Sequence, residues 1–142
     1  ASTDARVITL IPNAAGASTD FTPNTGTNYD AVNETSDIDD DTTYVENGSI
    51  GAKDLYNIDT FTTTPTTIHG VQLNTVCKKT DAVLREFVPM VRHSSTNYDG
   101  DSVALNGAYN DELQVWTVNP GTAVAWTPSD IGSLQIGFRV VT

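Results

Sequence analysis

The sequence predicts an all-β protein: an antiparallel β-sandwich, jelly-roll-like, with one short helical turn near the C-terminus. Three observations predict it. About eight short segments alternate apolar and polar residues with period two, as strands with one buried face do. Turn-forming residues punctuate the chain at the spacing of short strands in a sandwich. No stretch holds a helical period over a useful length, while Thr, Asn, Asp and Gly are abundant and Lys and Glu scarce, a bias toward strands and turns. With 142 residues, the chain is expected to form a single domain, 1–142.

The clearest local signal lies between Trp126 and Val141. Thr127 can cap a helix start, Pro128 suits the first helical position, and Asp130 can reach back to complete a capping box. Trp126 and Ile131 stand at the two staple positions. Gly132 ends the turn, and Leu134, Ile136, Phe138 and Val140 then alternate with Gln135, Gly137 and Arg139. That is a helical turn feeding a strand whose apolar face enters a core.

In chain order, residues 1–5 are small and polar, an arm that is flexible or ordered by a partner. Val7, Ile8, Leu10 and Ile11 predict a first strand, ended by Pro12. Residues 13–28 read as a loop that Phe21 pins to the core, and Tyr29 and Val32 as a short strand. Short strands are expected at Tyr44–Val45, before the Asn47-Gly48 turn, and at Asp54–Ile58, before a Thr-rich connector. The longest candidates are Ile68–Lys79 and Val83–Arg92, separated by a turn at Lys79-Thr80-Asp81. In the second, Val83, Phe87 and Val91 share one face and Leu84, Val88 and Met90 the other, so both faces are expected to be covered. Pro89 points to an edge or a bulge. Ser94–Asp101 reads as a polar loop, and Val103–Leu105 as a short strand. The last strand before Asn119-Pro120-Gly121 has Leu113, Val115 and Thr117 on one face, with Trp116 and Val118 opposite.

The formal net charge is −11, and the seven basic residues form no stripe able to neutralise phosphates, which excludes nucleic acid as the expected partner. No apolar run approaches the roughly 18 residues of a membrane span, so no membrane partner is expected. Cys77 is the only cysteine, alternates with core positions, and reads as a small buried hydrophobe.

Motifs that carry chemistry are scarce. Asp37, Asp39 and Asp41 have the first three spacings of a calcium loop, but Thr42 stands where Gly is needed and Gly48 where Glu is needed. The segment therefore reads as a solvated acidic loop or a charged patch facing a partner, and no metal or other cofactor is expected. His69 and His93 lack further zinc ligands at a recognised spacing. Ser94-Ser95 form no nucleophile elbow, and no phosphate-cradling glycine motif occurs. Nothing singles out a carboxylate pair for glycoside hydrolysis. Catalytic residues are accordingly none, and the expectation is a binding or structural module rather than an enzyme. Asp39, Asp40 and Asp41, with Phe87 and Met90 on the two-faced strand, are the residues expected at a partner contact.

Five pieces in order, Asp40–Val45, Gly51–Tyr56, Ile68–Asn74, Lys78–Ala82 and Ala125–Gly137, resemble a family of small virion structural proteins from tailed bacteriophages. Val83–Phe87 departs from it, where a more basic run would be the family pattern. The resemblance implies a non-enzymatic β-sandwich on the outer surface of a phage capsid. It implies a decoration (cement) protein that binds the major capsid protein, assembled as a homo-oligomer, a trimer. The alternative is a tail- or fibre-associated module that binds a host surface glycan, for which Tyr44, Tyr56, Tyr98, Tyr109, Trp116 and Trp126 would line a groove. A small carbohydrate-active enzyme is a third reading, from a different class.

Overall fold

The computed structural model describes residues 5–35 and 38–142. Its strands are β1 (Pro12–Thr19), β2 (Thr22–Pro23), β3 (Val45–Glu46), β4 (Lys53–Ile58), β5 (Val71–Cys77), β6 (Glu86–His93), β7 (Thr96–Asp99), β8 (Val103–Ala104), β9 (Asn110–Trp116) and β10 (Gln135–Val140). Among the described residues the one α-helix, α1, is Pro128–Gly132. Six strands form a large antiparallel sheet in the order β1-β4-β10-β6-β7, with β8 also on β6. Among the described residues β5 and β9 pair only with each other, and β2 with β3. The all-β, sandwich-like expectation therefore stands. The sheets are unequal, six strands against a two-stranded ribbon, and these pairings do not establish a jelly roll.

The C-terminal stretch folds as its residues dictate. The Thr127 hydroxyl accepts from the Asp130 N–H at 3.2 Å, and the Asp130 carboxylate accepts from the Thr127 N–H at 2.9 Å, a capping box that starts α1. Trp126 and Ile131, the staple pair, are both buried and join Val91 and Leu134 in the core. Val71 and Trp116 of the ribbon pack on the same cluster, and the Trp126 indole N–H donates to the Trp116 carbonyl at 2.9 Å. The ribbon and α1 thus cover one face of the large sheet. Each large side chain buried there contributes roughly 1.5–3 kcal/mol.

β10 runs between β4 and β6, with Ile136 opposite Tyr56 and Val91. Phe21 pins its segment as expected, its ring 5.0 Å from that of Phe138 in a T-shaped pair. Beneath it Asp54, fully buried, accepts from the Phe21 N–H at 2.9 Å, the Asn28 amide at 2.6 Å and the Tyr56 hydroxyl at 2.7 Å. A buried carboxylate with three donors is satisfied in the way burial demands.

Four expectations are corrected. The first strand does not end at Pro12 but begins there, because Pro12 is the first residue of an edge strand, where a missing N–H costs little. Val7 lies outside it, 96% exposed. The sequence 13–19 is small and polar, yet it pairs with β4 through its backbone, and a register irregularity lifts Ala17 so that its N–H reaches the Gln135 side chain on β10 at 2.9 Å, across β4. Second, Asp30–Val32 is a 3-10 turn, with the Thr27 hydroxyl donating to Asp30 at 2.7 Å. Third, Ser94 and Ser95, at φ 48° and 66°, make a tight hairpin turn, so Thr96–Asp99 is a strand and not loop. Fourth, β6 begins at Glu86, leaving Val83 and Leu84 outside it and exposed.

Phe87 to Val91 are all buried, in agreement with a strand covered on both faces. Pro89 sits in this central strand between the stretches that pair with β8 and with β7. Its carbonyl accepts from the Gly100 N–H at 2.6 Å, at the break between those two short strands. The absent N–H of Pro89 therefore interrupts no continuous ladder.

Candidate functional site

The ribbon supplies the most distinctive surface. β5 and β9 pair in a register that sets Val71 opposite Trp116, Leu73 opposite Gln114 and Thr75 opposite Glu112 on the inner face. Gln72 opposite Val115 and Asn74 opposite Leu113 fall on the outer face. Leu73 is buried, while Leu113 and Val115 are 57% and 49% exposed. Beyond the ribbon end, Val118 and Val124 are 42% and 60% exposed. What turns the aliphatic face outward is the opposite face: Trp116 packs against the core, and the Gln114 amide oxygen accepts from the Asp101 N–H at 2.7 Å. A one-residue slip would bury Leu113 and Val115 and eject Trp116. Neither strand of the ribbon has a second strand partner among the described residues.

The acidic loop meets one end of this ribbon. Asp41 accepts from the Lys78 ammonium at 2.6 Å and the Tyr109 hydroxyl at 3.0 Å. The same ammonium lies 4.3 Å from the centre of the Tyr109 ring. The Lys78 hydrogen bond is the main reason the Asp41 carboxyl is held below the usual range, with that from Tyr109 next. Asp39 accepts from the N–H and hydroxyl of Thr43, whose oxygen also lies 2.9 Å from Glu34. Asp40 takes a left-handed conformation at φ 50°. Asp39 and Asp41 are thus tethers of the loop to itself and to the ribbon. Asp37 and the arm residues 1–4 lie outside the described residues. Among the described residues, no cluster of three or more His, Cys, Asp or Glu side chains could hold a metal ion.

Phe87 and Met90 are corrected as partner contacts. They are 6% and 1% exposed, so both belong chiefly to the interior of this chain. Strand alternation announced that they pack on opposite faces, but it does not distinguish a neighbouring subunit from the rest of the same domain. The surface that is exposed instead, Leu113 and Val115, carried its own signal, alternation in a strand whose other face holds a tryptophan.

His93 is buried at the rim of the core, its Nε2 3.2 Å from the Asp130 carboxylate and 3.4 Å from the Asn119 amide nitrogen. Asn119, itself fully buried, accepts from the Gly121 N–H at 2.8 Å. The cluster locks the 119–124 loop and α1 onto β6. Burial, reinforced by the charges of Glu112 and Asp111, pushes the Cys77 thiol up to about 12, so it is protonated and unreactive at neutral pH. Trp126 is buried and Trp116 packs inward, so neither forms an exposed sugar platform.

No protein-family model, curated protein or solved structure matches this chain.

Proposed function

We propose that this chain is a structural virion protein of a tailed phage, a capsid decoration protein that binds and stabilises the lattice of the major capsid protein. One observation supports the reading above others: a short uncharged aliphatic strip, Leu113 and Val115, stands exposed on the outer face of a ribbon that pairs with no further strand among the described residues. In a chain of net charge −11, this is a surface where a partner meets apolar side chains, with the Asp111 carboxylate at the end of the same face. The strip alone is smaller than the roughly 800 Å² per partner of a stable interface. A homotrimer multiplies it, because each docked subunit raises the effective concentration of the next. Binding only the assembled lattice stabilises that lattice by mass action. A tail-associated glycan-binding module is the alternative, but the tryptophans that would line its groove serve the core.

The test is cryo-electron microscopy of particles carrying this chain, joined to heat challenge of particles with Leu113→Asp. The capsid reading expects many copies at three-fold positions, and loss of both docking and heat resistance in the variant, whose isolated fold melts unchanged. A few copies at the tail, or full heat resistance without the protein, would overturn it.

A further inference from the structure

On the large sheet, the face turned away from the ribbon holds Lys53, Leu55 and Asn57 of β4, Gln135, Gly137 and Arg139 of β10, Val88, Met90 and Arg92 of β6, and Asn97 and Asp99 of β7. Three of the seven basic residues of an acidic chain therefore share one face. Arg139 lies directly opposite Lys53, a like-charge cross-strand pair that is unfavourable when left alone. Asp99 takes one N–H of the Arg139 guanidinium. The Lys53 ammonium is, among the described residues, the one Lys or Arg side chain with neither hydrogen bond nor ion pair. An open groove of about 460 Å³ is lined by Lys53, Arg139, Asn97 and Asp99 together with Met90, Tyr98 and Pro120.

We propose that this groove binds a small hydroxylated carboxylate, the chemistry of a sugar acid. The charge follows from Lys53, Arg139 and Arg92, which together exceed Asp99 and Asp20, the latter accepting from the Lys53 backbone N–H at 3.1 Å. A guanidinium offers five N–H donors, and Asp99 takes one of them, so the remainder can reach a carboxylate. The hydroxyls follow from Asn97 and Asp99. The Asn97 amide oxygen is taken by Arg92 at 2.8 Å, which leaves its N–H2 to donate, and the free lone pairs of Asp99 accept from ligand hydroxyls. The size is that of small-molecule sites, roughly 300–1,000 Å³. The inference is independent of the capsid reading, since it concerns a different face and needs no particle.

The experiment is a titration of the isolated protein with glucuronate, followed by calorimetry and by backbone amide shifts, with glucose and acetate as controls. Glucuronate is expected to give saturable shifts at Lys53, Asn97, Asp99 and Arg139, glucose none, and acetate binding at least tenfold weaker. Lys53→Met, which removes an ammonium with no partner in the fold, is expected to weaken glucuronate at least tenfold while the melting temperature stays unchanged. Absence of saturable shifts, acetate binding as well as glucuronate, an acidic peptide binding better than either, or Lys53→Met binding like the parent would each overturn it.

Discussion

Gly137 lies against the backbone of Asp54 so closely that a β-carbon on Gly137 would overlap the Asp54 carbonyl oxygen. It would also sit 3.0 Å from the Leu55 Cα. The obstacle is backbone of the adjacent strand, which cannot swing aside. Gly137→Ala is therefore expected to cost about 3 kcal/mol or more, seen as a fall in the urea midpoint. Gly107→Ala, where nothing lies within 4 Å, should leave the midpoint within about 0.5 kcal/mol of the parent.

Tyr56→Phe removes one of three donors to the buried Asp54 carboxylate. The expected loss is about 1–3 kcal/mol, because the carboxylate stays buried with one partner fewer. Asp54→Ala, which strands the buried Tyr56 hydroxyl and the half-buried Phe21 N–H and Asn28 amide, should cost more. Equal losses in chemical denaturation would show that Asp54 does not organise the site.

Stability is expected to fall on both sides of neutrality. Burial, then the Asp54 carboxylate, raises the Tyr56 phenol above its ordinary range, and Cys77 is raised to about 12. Both stay protonated in the fold after the unfolded chain has begun to release the same protons. Their stabilisation is complete below about pH 8.5 and is lost as pH rises, by at most about 1.4 kcal/mol per unit per group. On the acid side, burial alone would raise the Asp130 carboxyl, but the Thr127 N–H, the Asn119 and Thr127 side chains and His93 together hold it below its usual value. That contribution is present above about pH 4 and lost below it. Urea midpoints from pH 3 to 11 check both arms.

Leu73 and Leu113 stand on neighbouring strands with opposite fates. Leu73→Ala opens a cavity in the core and should cost about 2–5 kcal/mol. Leu113→Ala touches an exposed side chain and should shift stability by less than about 0.5 kcal/mol. A large loss at Leu113 in the isolated chain would mean that the ribbon face is covered within the domain.

The Ser94-Ser95 turn holds two non-glycine residues at positive φ. Left-handed backbone costs an ordinary residue roughly 1–2 kcal/mol. Ser95→Gly is expected to raise the melting temperature, with a gain of up to about 1 kcal/mol. A neutral or lowered melting temperature would place the cost elsewhere.

Local signals were legible where local chemistry decides the structure. Thr127, Pro128 and Asp130 specify a helix start by themselves, and Leu134 to Val140 specify a strand. β1 was not legible, because its stability comes from pairing with β4 and its residues carry little apolar alternation. Ser94-Ser95 hid a hairpin because the usual Asn-Gly or Asp-Gly signal is absent. The two faces of β9 were separable in sequence, but which one turned inward depended on Trp116 meeting Trp126 and on Gln114 meeting Asp101. Phe87 and Met90 read as contacts for the same reason: apolarity marks burial without naming what buries. The groove lined in part by Met90 was invisible, since Lys53, Arg139 and Asn97 come from three separate strands.

The place of β10 sets the order in which the molecule can be built. Among the described strands, β1 and β4 on one side, and β6, β7 and β8 on the other, join in the sheet only across β10, which is synthesised after all of them. While a ribosome is still making residues 135–140, both halves wait with a bare inward edge, and one half has no partner in the other. Closing the sheet is a long-range event that is entropically slow. A chain caught before that moment offers unpaired strands to its neighbours, so heavy expression should favour aggregation, and slower synthesis or a holding chaperone should favour the folded form.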